Sequence, residues 1–232
     1  MPALNEEGAI ASVVEAVLAL GVVDGVVVVD GGSSDATAER ARAAGARVVV
    51  ECRRGYGRAC LTGAQHADSA EVVLFVDGDG SDVVALAGTL IEPVLAGTVD
   101  LVLGSRIRGR RERGSMAPHQ LAGNVLVAAI LRRRHGVQVT DVGPFRAVSG
   151  RLLGRLDMRE MSYGWPTEMI VRVAAIGGRI VEVPVNYRAR VGGRSKVSGS
   201  VRGSVMAGWR MVRVAWAKTP VRPAGQAISE EV

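Results

Sequence analysis

Short β-branched runs alternate with alanine-rich amphipathic stretches through the first hundred residues, and this alternation narrows the fold more than any other feature. Apolar runs bounded by turn residues read as buried strands, and apolar residues at three- and four-residue spacing read as helices. Alternating, they specify βαβ units and a parallel sheet. Strands are expected at 26–30, 47–51, 72–77 and 100–105, parallel and in that order. Helices are expected at 8–20, 35–44 and 57–67, with a broken helix over 83–95 whose end is limited by Pro93. From Gly104 the rhythm changes to arginine- and glycine-rich loops. A helix near 120–134, a polar loop with Pro144, a helix at 166–176, a strand at 179–183 and a closing helix at 201–217 follow. With 48% hydrophobic but only 3% aromatic residues, the core must be built from Val, Leu, Ile and Ala, which suits a sheet covered by helices on both faces. A chain of 232 residues is long enough for one α/β domain and short for two.

The net charge of +6 conceals an asymmetry. Residues 1–100 carry 15 Asp/Glu against 6 Lys/Arg, and residues 101–232 carry 8 against 23. The first part is suited to cations and the second to anions: nucleic acid, a membrane surface, a phosphate-bearing small substrate, or simply solvent around a basic face. Cys52 and Cys60 occur without a recognisable secretory signal peptide, so a reducing, cytoplasmic setting is expected rather than a disulfide framework. No apolar run reaches the roughly 18 residues that cross a bilayer. In the closing helix Trp209, Val212 and Trp216 share one face, with Arg210, Arg213 and Lys218 around it. Such a helix either packs on its own domain or lies in a membrane interface.

The chemistry concentrates where the strands end. Residues 74–82 read Leu-Phe-Val-Asp-Gly-Asp-Gly-Ser-Asp, a hydrophobic strand running into Asp77 and Asp79. The carboxyl ends of parallel strands face the ligand crevice of an open α/β sheet. A hard cation takes one or two carboxylates there and completes its shell with phosphate oxygens and water. Gly78 and Gly80 are expected to clear space for a diphosphate. An EF-hand is excluded, because Asp82 and Gly88 occupy the positions that need Gly and Glu. Asp30 ends a second strand before the turn Gly31-Gly32-Ser33-Ser34 and is placed to accept a hydrogen bond from a nucleobase or ribose; Ser34 or Asp35 is expected to cap the next helix. Gly55-Tyr56-Gly57-Arg58-Ala59-Cys60 imitates part of a dinucleotide fingerprint but ends in Cys60 where Gly or Ala belongs. No Walker-type phosphate loop is present.

Together these motifs resemble family 2 glycosyltransferases, in particular the branch of dolichyl-phosphate mannose or glucose synthases. The resemblance runs from Pro2-Ala3-Leu4-Asn5-Glu6-Glu7 through Asp77-Gly78-Asp79, Leu103 to Arg106, Thr140 to Arg146, Tyr163 to Met169 and Val183 to Arg188, and on to Gly193-Arg194-Ser195-Lys196, about residues 1–200. It implies a GT-A fold of class α/β, a mainly parallel sheet flanked by helices. The family's first strand precedes the Pro-x-x-Asn-Glu motif and is expected to be missing, since Met1 leaves no residues for it.

By the same resemblance, Pro2, Leu4, Asn5 and Glu6 line a nucleotide pocket with Asp30 and Asp77, while Asp77 and Asp79 hold Mg²⁺ or Mn²⁺. Gly31 replaces a second acidic residue, and Ser81 stands where relatives supply a further polar ligand. Arg106 approaches the donor phosphates or sugar. Asp141, or else Glu168, is the base if the acceptor is an alcohol, and Arg188, Arg194, Ser195 and Lys196 gather an acceptor phosphate.

The expected organisation is one domain over 1–218, with a nucleotide and metal half at 1–105 and an acceptor half at 106–218, followed by a disordered tail at 219–232. The expected reaction is inverting transfer of a hexose from a nucleoside-diphosphate sugar, such as UDP-glucose or GDP-mannose, to a polyprenyl phosphate. Its place is the cytoplasm, at the inner face of the cell membrane, without nucleic acid. The oligomeric state leaves no signal in the sequence. Two other readings remain: a sugar-phosphate nucleotidylyltransferase, which also uses strand-end carboxylates but lacks its glycine-rich triphosphate loop here, and a basic binding module, which leaves Asp77 and Asp79 without a purpose.

Overall fold

The computed structural model describes residues 1–67, 69–191 and 201–217, without the side chains of Val201 and Arg202. The expected tail at 219–232 lies outside the described residues, as do Arg194, Ser195 and Lys196. Strands β1 (Pro2–Ala3), β2 (Val27–Asp30) and β3 (Arg47–Val50) form a parallel sheet in that order. The expected absence of a first strand is therefore modified. Two residues suffice to register it, with Pro2 opposite Val29 and Ala3 opposite Asp30, and the Val29 and Gly31 amides donate to the Met1 and Ala3 carbonyls at 2.9 Å each.

The second sheet contains β4 (Val72–Phe75), β5 (Leu101–Ser105), β6 (Arg146–Ser149) and β7 (Ile180–Pro184) in the order β4-β6-β5-β7. Here the expected succession of parallel strands needs correction. β6 inserts between β4 and β5 and runs antiparallel to both, whereas β7 is parallel to β5. Nothing in the periodicity announces β6: it is four residues long, begins with a charged side chain and follows Pro144 closely.

Alternate strand residues point to opposite faces of the sheet and meet different helices. Val28, Val102, Phe145 and Ala147 join Ile10, Val13 and Val14 of α1 (Ile10–Leu18) in one core. Leu90, Ile91 and Val94 complete it; they come from the chain after α2 (Thr37–Ala43) and α3 (Tyr56–Gln65), in α4 (Ala87–Leu95). Pro93 lies inside α4, which ends at Leu95. Phe75, Leu101, Leu103 and Val148 face the other way, into a core shared with α5 (Pro118–His135). After the short α6 (Gly150–Leu153), α7 (Trp165–Ala175) and α8 (Val201–Trp216) close that layer. Within it Phe75 stands edge-on to Trp165, with ring centroids 4.9 Å apart.

The Gly55-Tyr56-Gly57 motif has a packing explanation. The segment Glu160–Met161 passes directly over the first turn of α3, where the Arg58 amide donates to the Met161 carbonyl at 3.2 Å. A Cβ on Gly57 would overlap the Glu160 carbonyl oxygen and approach Trp165 Cβ to 2.8 Å. The chain's own carbonyls cover this helix end, so it is not a dinucleotide loop. Gly57→Ala should lower stability by about 1–3 kcal/mol, because backbone must yield, and a chemical-denaturation midpoint shifted at unchanged slope would show it.

Candidate functional site

The chain leaves β4 through Val76 into an acidic loop at the carboxyl edge of the sheet. Asp77 accepts the Tyr56 hydroxyl at 3.1 Å. Asp79 Oδ1 accepts both the amide and the hydroxyl of Ser81, at 2.9 and 2.6 Å. Asp82 Oδ2 receives the Asp77 amide at 3.3 Å, while its Oδ1 is buried without a hydrogen-bond partner among the described residues. Asp79 and Asp82 are buried, and Asp77 is partly exposed. Burial, then the Asp79 charge, pushes the Asp77 carboxyl up to about 7. Burial, with Asp77 and Asp79, holds Asp82 well above the usual carboxylate range.

Crowded, desolvated carboxylates with an orphaned oxygen are what a hard cation would relieve. Among the described residues no three His, Cys, Asp or Glu side chains form a ready chelate. The residues present therefore fit a cation that draws its remaining oxygens from substrate and water. The loop glycines answer to packing rather than to the expected diphosphate clearance. A Cβ on Gly78 would come within 2.9 Å of Ile10 Cδ1, and Gly80 has φ +75° with Val191 Cγ2 2.8 Å from where its Cβ would be.

A second strip of chain lies along this loop. Arg188 N donates to Ser81 O at 2.9 Å and Val191 N to Asp79 O at 3.3 Å. This brings Arg190 over the carboxylates, with Nη2 2.8 Å from Asp79 Oδ2 and Nη1 3.2 Å from Glu6 Oε1. Arg190 and Tyr56 were not among the sequence candidates. Arg190 sits two residues from Arg188, and its charge was the only available signal.

Loops after β1 and β2 make the adjoining wall. Asn5, held at φ 51°, receives the Ser34 amide on Oδ1 and gives its own amide to Ser33 Oγ, both at 2.8 Å. Glu6 N donates to Thr37 Oγ1 at 2.8 Å. Asp30 is buried and turned back on the Ser33 amide and hydroxyl, so it shapes the turn internally. Asp35 caps less directly than expected: its carboxylate takes the Thr37 and Glu7 amides, and the helix begins after Ala36. Pro2 and Leu4 border the positions of Gly78 and Gly31.

Arg106, directly after β5, is clamped by Asp141. Its Nε and Nη2 donate to Oδ2 and Oδ1 at 2.8 Å each, and its amide reaches Oδ2 at 2.9 Å. Glu182 of β7 fixes Asp141 in turn, accepting the Thr140 and Asp141 amides at 2.8 and 2.9 Å. Asp141 is 1% exposed; burial alone would raise its carboxyl, but the Arg106 charge and hydrogen bonds outweigh that and hold it below the usual range. Both of its oxygens are engaged by Arg106, whose guanidinium it fixes in place, and its lowered proton affinity makes it a weak base for an alcohol acceptor. Glu168 is likewise committed, to the Arg159 and Glu160 amides and to Arg172 Nε at 2.8 Å. Glu182, a carboxylate inside an apolar strand, was the overlooked signal for this network.

Tyr187 lies beneath the Arg106 guanidinium, 5.1 Å from its carbon to the ring centroid. Tyr187 N donates to Arg110 O and Glu112 N to Tyr187 O, at 2.9 Å each. The resulting ridge carries Arg110, Arg111, Arg113 and Arg188, all exposed. The structure thus joins Asp77, Asp79, Glu6 and the Arg188 segment in one site, with Arg106 and Asp141 behind Tyr187.

The family model of Glycosyl transferase family 2 matches residues 1–175. An uncharacterized glycosyltransferase of Mycobacterium tuberculosis is 40% identical over 210 residues, covering 89% of this chain and 92% of its own. A dolichyl-phosphate hexose transferase of Haloferax volcanii is 35% identical over 196 residues, covering 83% and 82%. Among solved structures, glucosyl-3-phosphoglycerate synthase from M. tuberculosis, in complex with Mn²⁺, uridine diphosphate and glucosyl-3-phosphoglycerate, has a TM-score of 0.69 at 27% identity. The match covers 92% of this chain and 76% of that one.

Two outcomes follow from the acidic loop. The folded Asp77 keeps its proton up to about 7, whereas the unfolded carboxyl loses it near 3.8. Between these values the folded state binds more protons, so metal-free stability falls as pH rises. Melting temperatures measured from about pH 4 to about pH 7 should decline, and Asp77→Asn should reduce the slope, leaving the contribution of Asp82. Arg190→Gln should tighten Mn²⁺ binding without nucleotide by about tenfold, the scale of one partly buried ion pair released; calorimetric titration measures it, and an unchanged affinity would remove Arg190 from the site.

Proposed function

The chain belongs to glycosyl transferase family 2, and we propose that it moves a hexose from a nucleoside-diphosphate sugar to a polyprenyl phosphate, with inversion, using Mn²⁺ or Mg²⁺ at Asp77 and Asp79. The observation that carries this reading is the acidic loop tied at Ser81 to a ridge of exposed arginines, Arg110, Arg111, Arg113 and Arg188. On this reading a cation site and an anion site share one crevice. The solved glucosyl-3-phosphoglycerate synthase, crystallised with Mn²⁺ and uridine diphosphate, supports the cation and the donor class. The Haloferax dolichyl-phosphate hexose transferase supports the acceptor.

When bound, a divalent cation neutralises charge on the departing nucleoside diphosphate. Arg106, locked by Asp141, presents a fixed charge that needs no reorganisation as the leaving group develops. The engagement of Asp141 and Glu168 favours an acceptor that arrives already anionic. A phosphate oxygen attacks the anomeric carbon in line, the bond to the donor diphosphate breaks, and its electron pair leaves with the diphosphate; no proton needs to be removed. Arg188 and the neighbouring ridge hold the acceptor phosphate, and the proposed place of reaction is the cytoplasmic face of a membrane.

The test is calorimetry with UDP and GDP, with and without Mn²⁺, followed by turnover with a short polyprenyl phosphate or with 3-phosphoglycerate. One nucleotide should bind only with cation, and Asp79→Ala should reduce turnover by about 10²-fold or more. Arg188→Ala should chiefly raise the KM for the acceptor. Turnover of 3-phosphoglycerate alone would replace the acceptor, and failure of a folded protein to bind either nucleotide would reject the reading.

A further inference from the structure

Away from the crevice, α5 and α8 lie side by side and run the same way. His119, near the start of α5, meets Ser204 Oγ at 3.2 Å, and His135, at its end, meets the Ala215 carbonyl at 2.9 Å. Inward, Ala207 and Ala215 are buried, and Met211 and Val212 pack on the core. Val212 thus departs from the face on which the sequence placed it with the two tryptophans.

Outward, Val125, Leu126, Val205, Met206, Trp209 and Trp216 are all more than half exposed, with Trp209 at 58% and Trp216 at 59%. Large apolar side chains gathered on neighbouring helices mark a contact surface. Neither helix contains an Asp or Glu, while Arg132, Arg133, Arg134, Arg210 and Arg213 all lie on them. The arginines attend the tryptophans. Arg134 lies 4.7 Å from the Trp216 centroid, and Arg213 and Arg210 lie 5.6 and 6.0 Å from that of Trp209.

Indole rings flanked by guanidinium groups have an apolar body and a cationic rim, which matches the boundary between acyl chains and anionic headgroups. A second protein copy with the same face would bring arginine against arginine. No described helix is long and apolar enough to cross a membrane, so such contact would be interfacial. We infer that the outer face of α5 and α8 docks this protein on an anionic lipid bilayer, with Trp209 and Trp216 inserted and the arginines on the headgroups. Only residues 192–200 separate Val191, bonded to Asp79 O, from α8. The ten Cα-to-Cα steps from Val191 to Val201 span at most about 36 Å, which bounds the distance between the acidic loop and the docked helix. The inference stands on this face alone, and a water-soluble acceptor would leave it intact.

The experiment uses the full chain and vesicles free of polyprenyl phosphate, either all phosphatidylcholine or with about one third phosphatidylglycerol. Cosedimentation and tryptophan emission are read together, with buried Trp165 as the unresponsive background. Binding with a blue shift is expected on the anionic vesicles only, weakened by salt. Arg210→Gln with Arg213→Gln should weaken partitioning about tenfold or more, and Trp209→Ala with Trp216→Ala should abolish the blue shift, each variant keeping the wild-type circular dichroism and melting temperature. No binding by the folded wild type, equal binding to neutral vesicles, or a concentration-dependent dimer that shields both tryptophans would overturn the inference.

Discussion

Three carboxylates packed at the end of one strand set the terms for the rest of this molecule. Asp77, Asp79 and Asp82 are partly or fully withdrawn from water, and mutual repulsion adds to desolvation. Such a cluster persists only if its charge is reduced or answered. Both remedies are visible: burial and neighbouring charge favour the protonated forms of Asp77 and Asp82, Arg190 stands against Asp79, and Tyr56 donates to Asp77. The need for these partners explains why distant parts of the chain converge here. Tyr56 arrives on α3, held by Gly57 beneath Glu160, and Arg190 arrives on the strip that follows β7.

The two arginines of the site answer different demands. Arg106 is paired bidentately with a carboxylate that Glu182 in turn fixes, so its position is set before any ligand binds. Preorganised charge of this kind stabilises developing negative charge without a reorganisation cost at the moment of reaction. Arg190 is more exposed, at 28% of its side chain, and bridges Asp79 and Glu6 through its two terminal nitrogens. It pairs with the Asp79 oxygen that Ser81 leaves free, and so balances charge on the acidic loop.

How much of this was legible in the sequence depends on the range of the interaction. The strand ending in Asp77 and Asp79, the turn after Asp30 and the helices between them are local patterns, and they emerged within a few residues of expectation. β6 was hidden because a short strand headed by a buried arginine has no apolar alternation to read. The partners of Asp141 and Glu168 were also out of reach, since a carboxylate in sequence does not show what it will bond. Asp141 meets Arg106 from 35 positions away, and Glu168 meets Arg159 and Glu160 only because the chain before α7 folds back on it. Gly78 and Gly80 illustrate the same limit: both suit an open diphosphate loop, yet Ile10 and Val191 account for them.

The charge asymmetry of the sequence resolves into geometry rather than into two separate surfaces. The acidic first part supplies Asp77, Asp79 and Asp82, and the basic second part returns to that loop through Arg188 and Arg190 while the ridge at Arg110 to Arg113 is tied alongside by Tyr187. Opposite charges are thereby set side by side, which is the complementarity on which the proposed function rests. The arginines of α5 and α8 belong to a different surface, with exposed indoles instead of carboxylates beside them. A basic group next to a carboxylate cluster organises a phosphate within a polar site, whereas one resting on an exposed aromatic ring presents charge at an apolar boundary. The same residue type thus stands in two different environments in this chain, and its neighbours distinguish them.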